Sequence, residues 1–165
     1  MEGGTVAPGN SAGLTTVTGN YAPSSGSTLE IELAGLMADV EHDRLLVQGN
    51  AAFDGFLDVL LDGGFQPGAD QRFGIIDVEG TASGQFAGAP QGSVVATFGS
   101  VDVFIDYQGG NGNDVELFTI PEPAASILIG VVLCGLGVVR GRPRRSKRKI
   151  QRTAAGCSRS GESFP

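Results

Sequence analysis

Val17-Thr18-Gly19, Val47-Gln48-Gly49 and Val78-Glu79-Gly80 are three versions of one short phrase, thirty and thirty-one residues apart. A period near thirty with glycine at each corner is the signature of a chain that returns on itself and lays one strand beside the last. After the first copy comes Leu29-Glu30-Ile31-Glu32-Leu33, and after the second Leu57-Asp58-Val59-Leu60-Leu61. Both alternate apolar and acidic residues, or nearly so, as a half-buried strand requires. Further strands are expected over Arg72–Val78, 93–98, 101–107 and Asp114–Thr119. Turn-forming groups separate them, among them Pro8-Gly9-Asn10, Gly63-Gly64 and Gly109-Gly110-Asn111-Gly112. The pattern predicts a mainly β body, either a solenoid or its terminal rungs. An antiparallel β-sandwich has the same local signals and stands as the alternative. One stretch departs from the strand period: Leu33, Leu36, Met37 and Val40 have helical spacing, so 33–40 is either a short helix or an excursion between rungs.

Charge divides the chain in two. Up to Ile120 there are two arginines, Arg44 and Arg72, against sixteen Asp and Glu, a net charge of −14. From Pro121 onward nine Lys and Arg face two Glu, a net charge of +7. An acidic body repels phosphate, so nucleic acid is not an expected partner. Twenty-seven glycines and no tryptophan point away from a compact helical enzyme. Both cysteines, Cys134 and Cys157, lie in the C-terminal part, so the body holds no disulfide framework and no thiolate metal site.

Residues 124–139 run sixteen positions without a charge. As a helix they would cover about 24 Å, short of a hydrocarbon core of about 30 Å, so length alone does not separate a membrane span from a buried core segment. The flanks do. Arg140, Arg142, Arg144, Arg145, Lys147, Arg148 and Lys149 crowd the C-terminal side. Such clusters stay cytoplasmic, and their long side chains snorkel to extend the span. That orientation puts the acidic body outside the cytoplasm. Immediately before the span stand Pro121, Glu122 and Pro123. Two prolines remove two backbone donors and hold the chain extended, leaving a stiff, accessible strap.

A Pro-Glu-Pro motif, a short Gly-rich span and an Arg-rich end resemble the PEP-CTERM sorting signal of Gram-negative bacteria. The resemblance covers about thirty residues, 120–149. It implies recognition of Pro121, Glu122 and Pro123 by exosortase, a membrane-embedded protease or transpeptidase. Arg140, Arg142, Arg144, Arg145, Lys147, Arg148 and Lys149 would form the cytoplasmic stop. The family usually ends soon after its basic cluster, whereas this chain continues through 150–165, a polar Ser/Gly/Arg-rich tail not expected to fold. Gly4-Thr5-Val6-Ala7-Pro8-Gly9-Asn10-Ser11, followed by a Val-x-Gly-Asn-Tyr strand, resembles the end of autotransporter-type β-strand repeat passengers. That likeness implies the terminal rungs of a right-handed parallel β-solenoid ending in a cap. Met1-Glu2-Gly3-Gly4 shows no basic or apolar leader, so the body is expected to continue upstream.

Three places invite a chemical reading. His42, the single histidine, sits in Asp39-Val40-Glu41-His42-Asp43-Arg44 with no second histidine or cysteine in the body to complete a zinc site, and is expected in a solvated acidic loop. There Arg44 pairs with a neighbouring carboxylate. The run from Gly109 to Leu117 approximates the calcium nonapeptide Gly-Gly-x-Gly-x-Asp-x-U-x. Asp114 fits, but Glu116 stands where an apolar residue belongs and no tandem copy follows. Asp114 is thus a calcium candidate within a glycine-rich hairpin turn. No nucleophile motif, phosphate loop or zinc spacing is present, and alternating carboxylates on strands read as solvated faces rather than a glycosidase pair.

The sequence therefore predicts a non-catalytic, cofactor-free exported protein, structural or adhesive, in the cell surface or extracellular matrix. Its precursor would be anchored in the inner membrane, with its acidic body outside, and released to the envelope. The expected partners are an exosortase-type enzyme, the inner membrane and extracellular polysaccharide. The alternative is part of a polysaccharide-active enzyme or carbohydrate-binding protein whose active module lies upstream.

Overall fold

The computed structural model describes residues 3–9 and 12–121. Eleven strands run in chain order: β1 (Thr5–Val6), β2 (Leu14–Val17), β3 (Thr28–Leu33), β4 (Arg44–Val47), β5 (Ala51–Phe53), β6 (Phe56–Leu61), β7 (Arg72–Val78), β8 (Ala82–Gly84), β9 (Val94–Phe98), β10 (Val101–Gly109) and β11 (Asp114–Thr119). They form a three-stranded sheet β1-β3-β6, a six-stranded sheet β2-β4-β7-β11-β10-β9, and a two-stranded sheet β5-β8. Up to β8 the chain passes through the three sheets in turn, three times, with Tyr21 bridged to Ala51 as the first visit to the third sheet.

The thirty-residue phrase explains those passes. Leu14 pairs with Arg44, Leu45 with Ile76 and Ala51 with Ala82, all parallel, and each offset is thirty or thirty-one residues. Val17, Val47 and Val78 consequently stand side by side, and the latter two are fully buried. In the first sheet β3 turns Leu29, Ile31 and Leu33 inward while Glu30 and Glu32 stay at the surface, as the period of two demands. Leu57, Val59 and Leu61 of β6 lie beside them in parallel register.

The corners need glycine because the preceding pass already occupies the space. A Cβ on Gly49 would lie 2.5 Å from Asn20 Oδ1 and 2.7 Å from Gly19 O, and one on Gly80 would lie 2.5 Å from Gly49 O. The asparagines that crowd these glycines also tie the passes together. Asn20 Oδ1 accepts the Asn50 N–H at 2.8 Å, and Asn50 Oδ1 accepts the Thr81 N–H at 2.9 Å and its hydroxyl at 3.0 Å.

After β8 the mode of pairing changes. β11 lies antiparallel on β7, β10 on β11 and β9 on β10. Phe53, Phe86 and Tyr107 cluster with ring centroids 5.5–6.3 Å apart, and the Tyr107 hydroxyl donates to Ala89 O and accepts from Phe86 N–H. This cluster fastens the antiparallel meander to β5.

Two fold expectations need correction. The sheets are mixed, so the chain is not the purely parallel solenoid expected from the repeat; nothing after Glu79-Gly80 repeats the phrase, and a meander forms there instead. It is not an antiparallel sandwich either, since the first and third sheets are wholly parallel. The helix alternative for 33–40 does not form: Leu33 ends β3 and Ala38 is bridged to His42. Leu36, Met37 and Val40 are 52%, 60% and 65% exposed, so their helical spacing has no surface to face, and Asp39 takes a left-handed φ of 69°. Among the described residues no helix is long and apolar enough to cross a membrane. The expected span, 124–139, lies outside the described residues.

Candidate functional site

His42 is not in a solvated loop. It is 1% exposed, packed edge-on against Phe73 at 5.6 Å, with Nδ1 3.2 Å from Gly35 O. The isolated bridge between Leu33 and His42 carries the side chain under the core edge. Burial lowers its pKa below 6.5, opposed by the Gly35 and Gly74 carbonyls and the charge of Asp39. Asp43 is buried too and serves as a backbone clamp. Its Oδ1 accepts the Gly13 N–H at 2.8 Å and its Oδ2 the Glu32 N–H at 2.9 Å, joining two neighbouring passes.

The side chains that do converge lie on the outer face of the six-stranded sheet. Arg44 opens β4, Asp77 stands one position before the end of β7, and Asp114 and Glu116 project from β11. Together with Gly74, Ile76 and Gly110 they line a cleft of about 190 Å³. Arg44 is held by both oxygens of Asp39, at 2.8 and 2.7 Å, and its Nη1 lies 3.5 Å from Asp77. The body's other arginine, Arg72, lies on the same sheet. It meets Glu116 at 2.9 Å and Asp106 at 3.9 Å and covers the Phe118 ring at 5.4 Å. Both cations of the body are thus flanked by two carboxylates each.

Asp77 is the perturbed acid of the cleft. Burial raises its pKa, the charge of Asp114 raises it further, Arg44 opposes, and a hydrogen bond with Asp114 adds to the rise. A protonated Asp77 therefore bridges to the Asp114 carboxylate. That contact is closer than the separation of about 5 Å or more that a glycosidase pair keeps around a sugar. The cleft is also smaller than the roughly 300 Å³ at which pockets for whole small molecules begin. Its chemistry is that of a shared proton beside a guanidinium.

Asp114, the calcium candidate, is engaged by backbone. Its Oδ1 accepts the Val78 N–H at 2.8 Å and its Oδ2 the Asn111 N–H at 3.2 Å. The glycines of the run serve the same turn. Gly110 has a φ of 51°, and a Cβ there would collide with the Asp114 carboxylate. Next to it Asn113 Nδ2 donates to Val78 O and Gly80 O at 2.9 and 2.5 Å. The turn thus occupies the corner that a further repeat would have covered. Among the described residues no group of three His, Cys, Asp or Glu side chains is placed to hold a metal ion.

Of the sorting residues, Pro121 is exposed just beyond β11, while Glu122, Pro123 and the cations Arg140, Arg142, Arg144, Arg145, Lys147, Arg148 and Lys149 lie outside the described residues. The cleft residues Arg44, Asp77 and Glu116 were not legible as a group. Only their outward position in the strand alternation hinted at them, and the antiparallel pairing of β11 with β7 brings them together. No family model, curated protein or solved structure matches the chain.

Proposed function

We propose that this chain is an exported structural or adhesive protein of a Gram-negative cell surface or matrix, sorted by an exosortase-type enzyme through residues 120–149. The observation that carries the reading is the order Pro-Glu-Pro, apolar run and basic cluster directly behind a strongly acidic β body. The way the body ends is compatible with it. Thr119 is 3% exposed, with its hydroxyl donating to Gly68 O and its N–H to Gln71 O, whereas Ile120 and Pro121 are exposed. A processing enzyme could grip the strap without unfolding the sheet. In this reading the stacked passes form a stiff spacer and β9–β11 close its end, while the surplus carboxylates keep it soluble in a hydrated polymer matrix.

The test replaces Pro121, Glu122 and Pro123 with alanine in the full-length chain, exported behind a leader in an exosortase-carrying host. Loss of processing and retention of the precursor in the inner membrane are expected. Unchanged processing and surface delivery would overturn the assignment.

A further inference from the structure

The two ends of the parallel stack are finished differently. At the β7 end the outer groups of the last pass are all engaged: β11 pairs with the strand, Asp114 takes the Val78 N–H, and Asn113 takes the Val78 and Gly80 carbonyls. At the β2 end no described strand lies beyond β2.

The hydrogen-bond alternation shows which groups that leaves. Arg44 N–H donates to Gly13 O and Gln48 N–H to Val17 O, each at 2.9 Å, so the backbone of Gly13, Thr15 and Val17 faces β4. In a parallel ladder successive residues face opposite sides. The N–H and C=O of Leu14 and Thr16 therefore face away from β4, towards open space. Nothing blunts this edge: β2 reads Leu-Thr-Thr-Val, with no proline, lysine or bulge among its residues. Its inward side is unfinished as well. Val47 and Val78 are fully buried, whereas Val17, in the same row, is only partly so.

We propose that the β2 edge is a docking site for a further parallel strand of the Val-x-Gly-Asn type, added in the same thirty-residue register. The corner selects this occupant. Asn50 N–H and Thr81 N–H each receive the side-chain oxygen of an asparagine one pass earlier, and Asn20 stands in the same place one pass before Asn50. An incoming Val-x-Gly-Asn strand delivers that oxygen to the Asn20 N–H while its valine covers Val17. A second copy of this chain does not. Two β2 edges related by a two-fold axis meet antiparallel, and neither corner then reaches the other's asparagine. Closure of the β7 end by Asn113 and Asp114 makes addition one-sided.

The experiment uses the full chain in detergent micelles and a synthetic peptide copying residues 43–53, at concentrations where the peptide sediments as a monomer. Binding is read by peptide fluorescence anisotropy and by hydrogen exchange across residues 14–21. The expected result is at least about tenfold slower exchange in that segment, from new ladder hydrogen bonds. In the pairing required, the peptide's Leu45 and Val47 amides face β2 and its Leu46 amide faces away. N-methylation at Val47 therefore abolishes binding, while N-methylation at Leu46 leaves it intact. A peptide carrying Asn50→Leu binds about fivefold more weakly, the loss of one hydrogen bond worth about 1 kcal/mol. On the protein, Thr16→Pro removes an outward-facing N–H and blocks docking without touching the bonds to β4. Any of three outcomes overturns the proposal: equal binding of a scrambled peptide, the reverse N-methylation pattern, or concentration-dependent self-association through this edge with no response to the peptide.

Discussion

The parallel and antiparallel parts of the six-stranded sheet meet in a single strand, β7, and keep their register by different means. β4 joins it through Ile76, Asp77 and Val78, and β11 through Arg72, Phe73, Gly74 and Ile76. No parallel pair in the molecule shows a register shift, whereas each of the three antiparallel pairs does. Where the sequence repeats, each residue finds its equivalent alongside and the asparagine corners fix the spacing. Where it does not repeat, bulges and single side chains such as Asn113, Asp114 and Tyr107 fix the alignment. Repetition is thus a register device in its own right, and its loss has to be offset by specific hooks.

The strongest way to break this comparison is to strike the shared strand. Phe73 is fully buried between the edges of His42 and Phe65. Phe73→Ala is expected to cost about 3–5 kcal/mol, from lost burial and the cavity left behind. Because β7 belongs to both parts, circular dichroism and calorimetry should show them melting together in one lowered transition. Two separated transitions would mean that the parallel passes and the meander are independent folding units.

A smaller effect sharpens the same contrast at single glycines. Gly49→Ala drives a Cβ into the Gly19 carbonyl and the Asn20 side chain, and should destabilise by about 1–3 kcal/mol in denaturant unfolding. Gly74, on β7, has open space where its Cβ would go and no left-handed φ. Gly74→Ala should therefore be neutral, or stabilise by up to about 1 kcal/mol, because alanine restricts the unfolded chain. Equal costs at the two positions would remove the claim that the corners are set by close approach between passes.

Much of this architecture was legible. Arg72–Val78 and Asp114–Thr119 form strands over the bounds that alternation predicts, and the Val-x-Gly phrase gives the true offset between β2, β4 and β7. The direction of pairing beyond β7 was not legible, because period-two alternation reads the same in either orientation. Nor was the burial of His42. Its acidic neighbours argue for solvent, but Asp39 is tied to Arg44 and Asp43 to two backbone amides, which leaves the imidazole free to turn inward against Phe73. The cleft was hidden for the same reason as the meander: Asp77 and Asp114 are thirty-seven positions apart, and only antiparallel pairing of β11 on β7 makes them neighbours.

The two parts should also answer acid differently. In the parallel part, burial holds the His42 pKa below its ordinary 6.5, so the unfolded chain takes up a proton at a pH where the folded chain does not. Stability from this group is complete above about pH 6.5 and is lost as pH falls from there through the lower folded value. The slope is at most about 1.4 kcal/mol per pH unit for one proton. In the antiparallel part the corresponding group is Asp106. Its pKa is lowered below 3.8 by the hydrogen bond from Gln91, then by the Gln108 N–H and Arg72, against the cost of burial. Stability from Asp106 is therefore kept down to about pH 3.8 and lost only below it. Asp77, raised above 3.8, has the opposite sign: its contribution falls as pH rises through the window above that value. Melting temperatures of the full chain between pH 7 and 4 should thus decline first through His42, and His42→Leu should flatten the upper part of the curve while leaving the limb below pH 4 in place. An unchanged upper slope in His42→Leu would assign the near-neutral acid sensitivity to another group and erase this difference between the parallel passes and the meander.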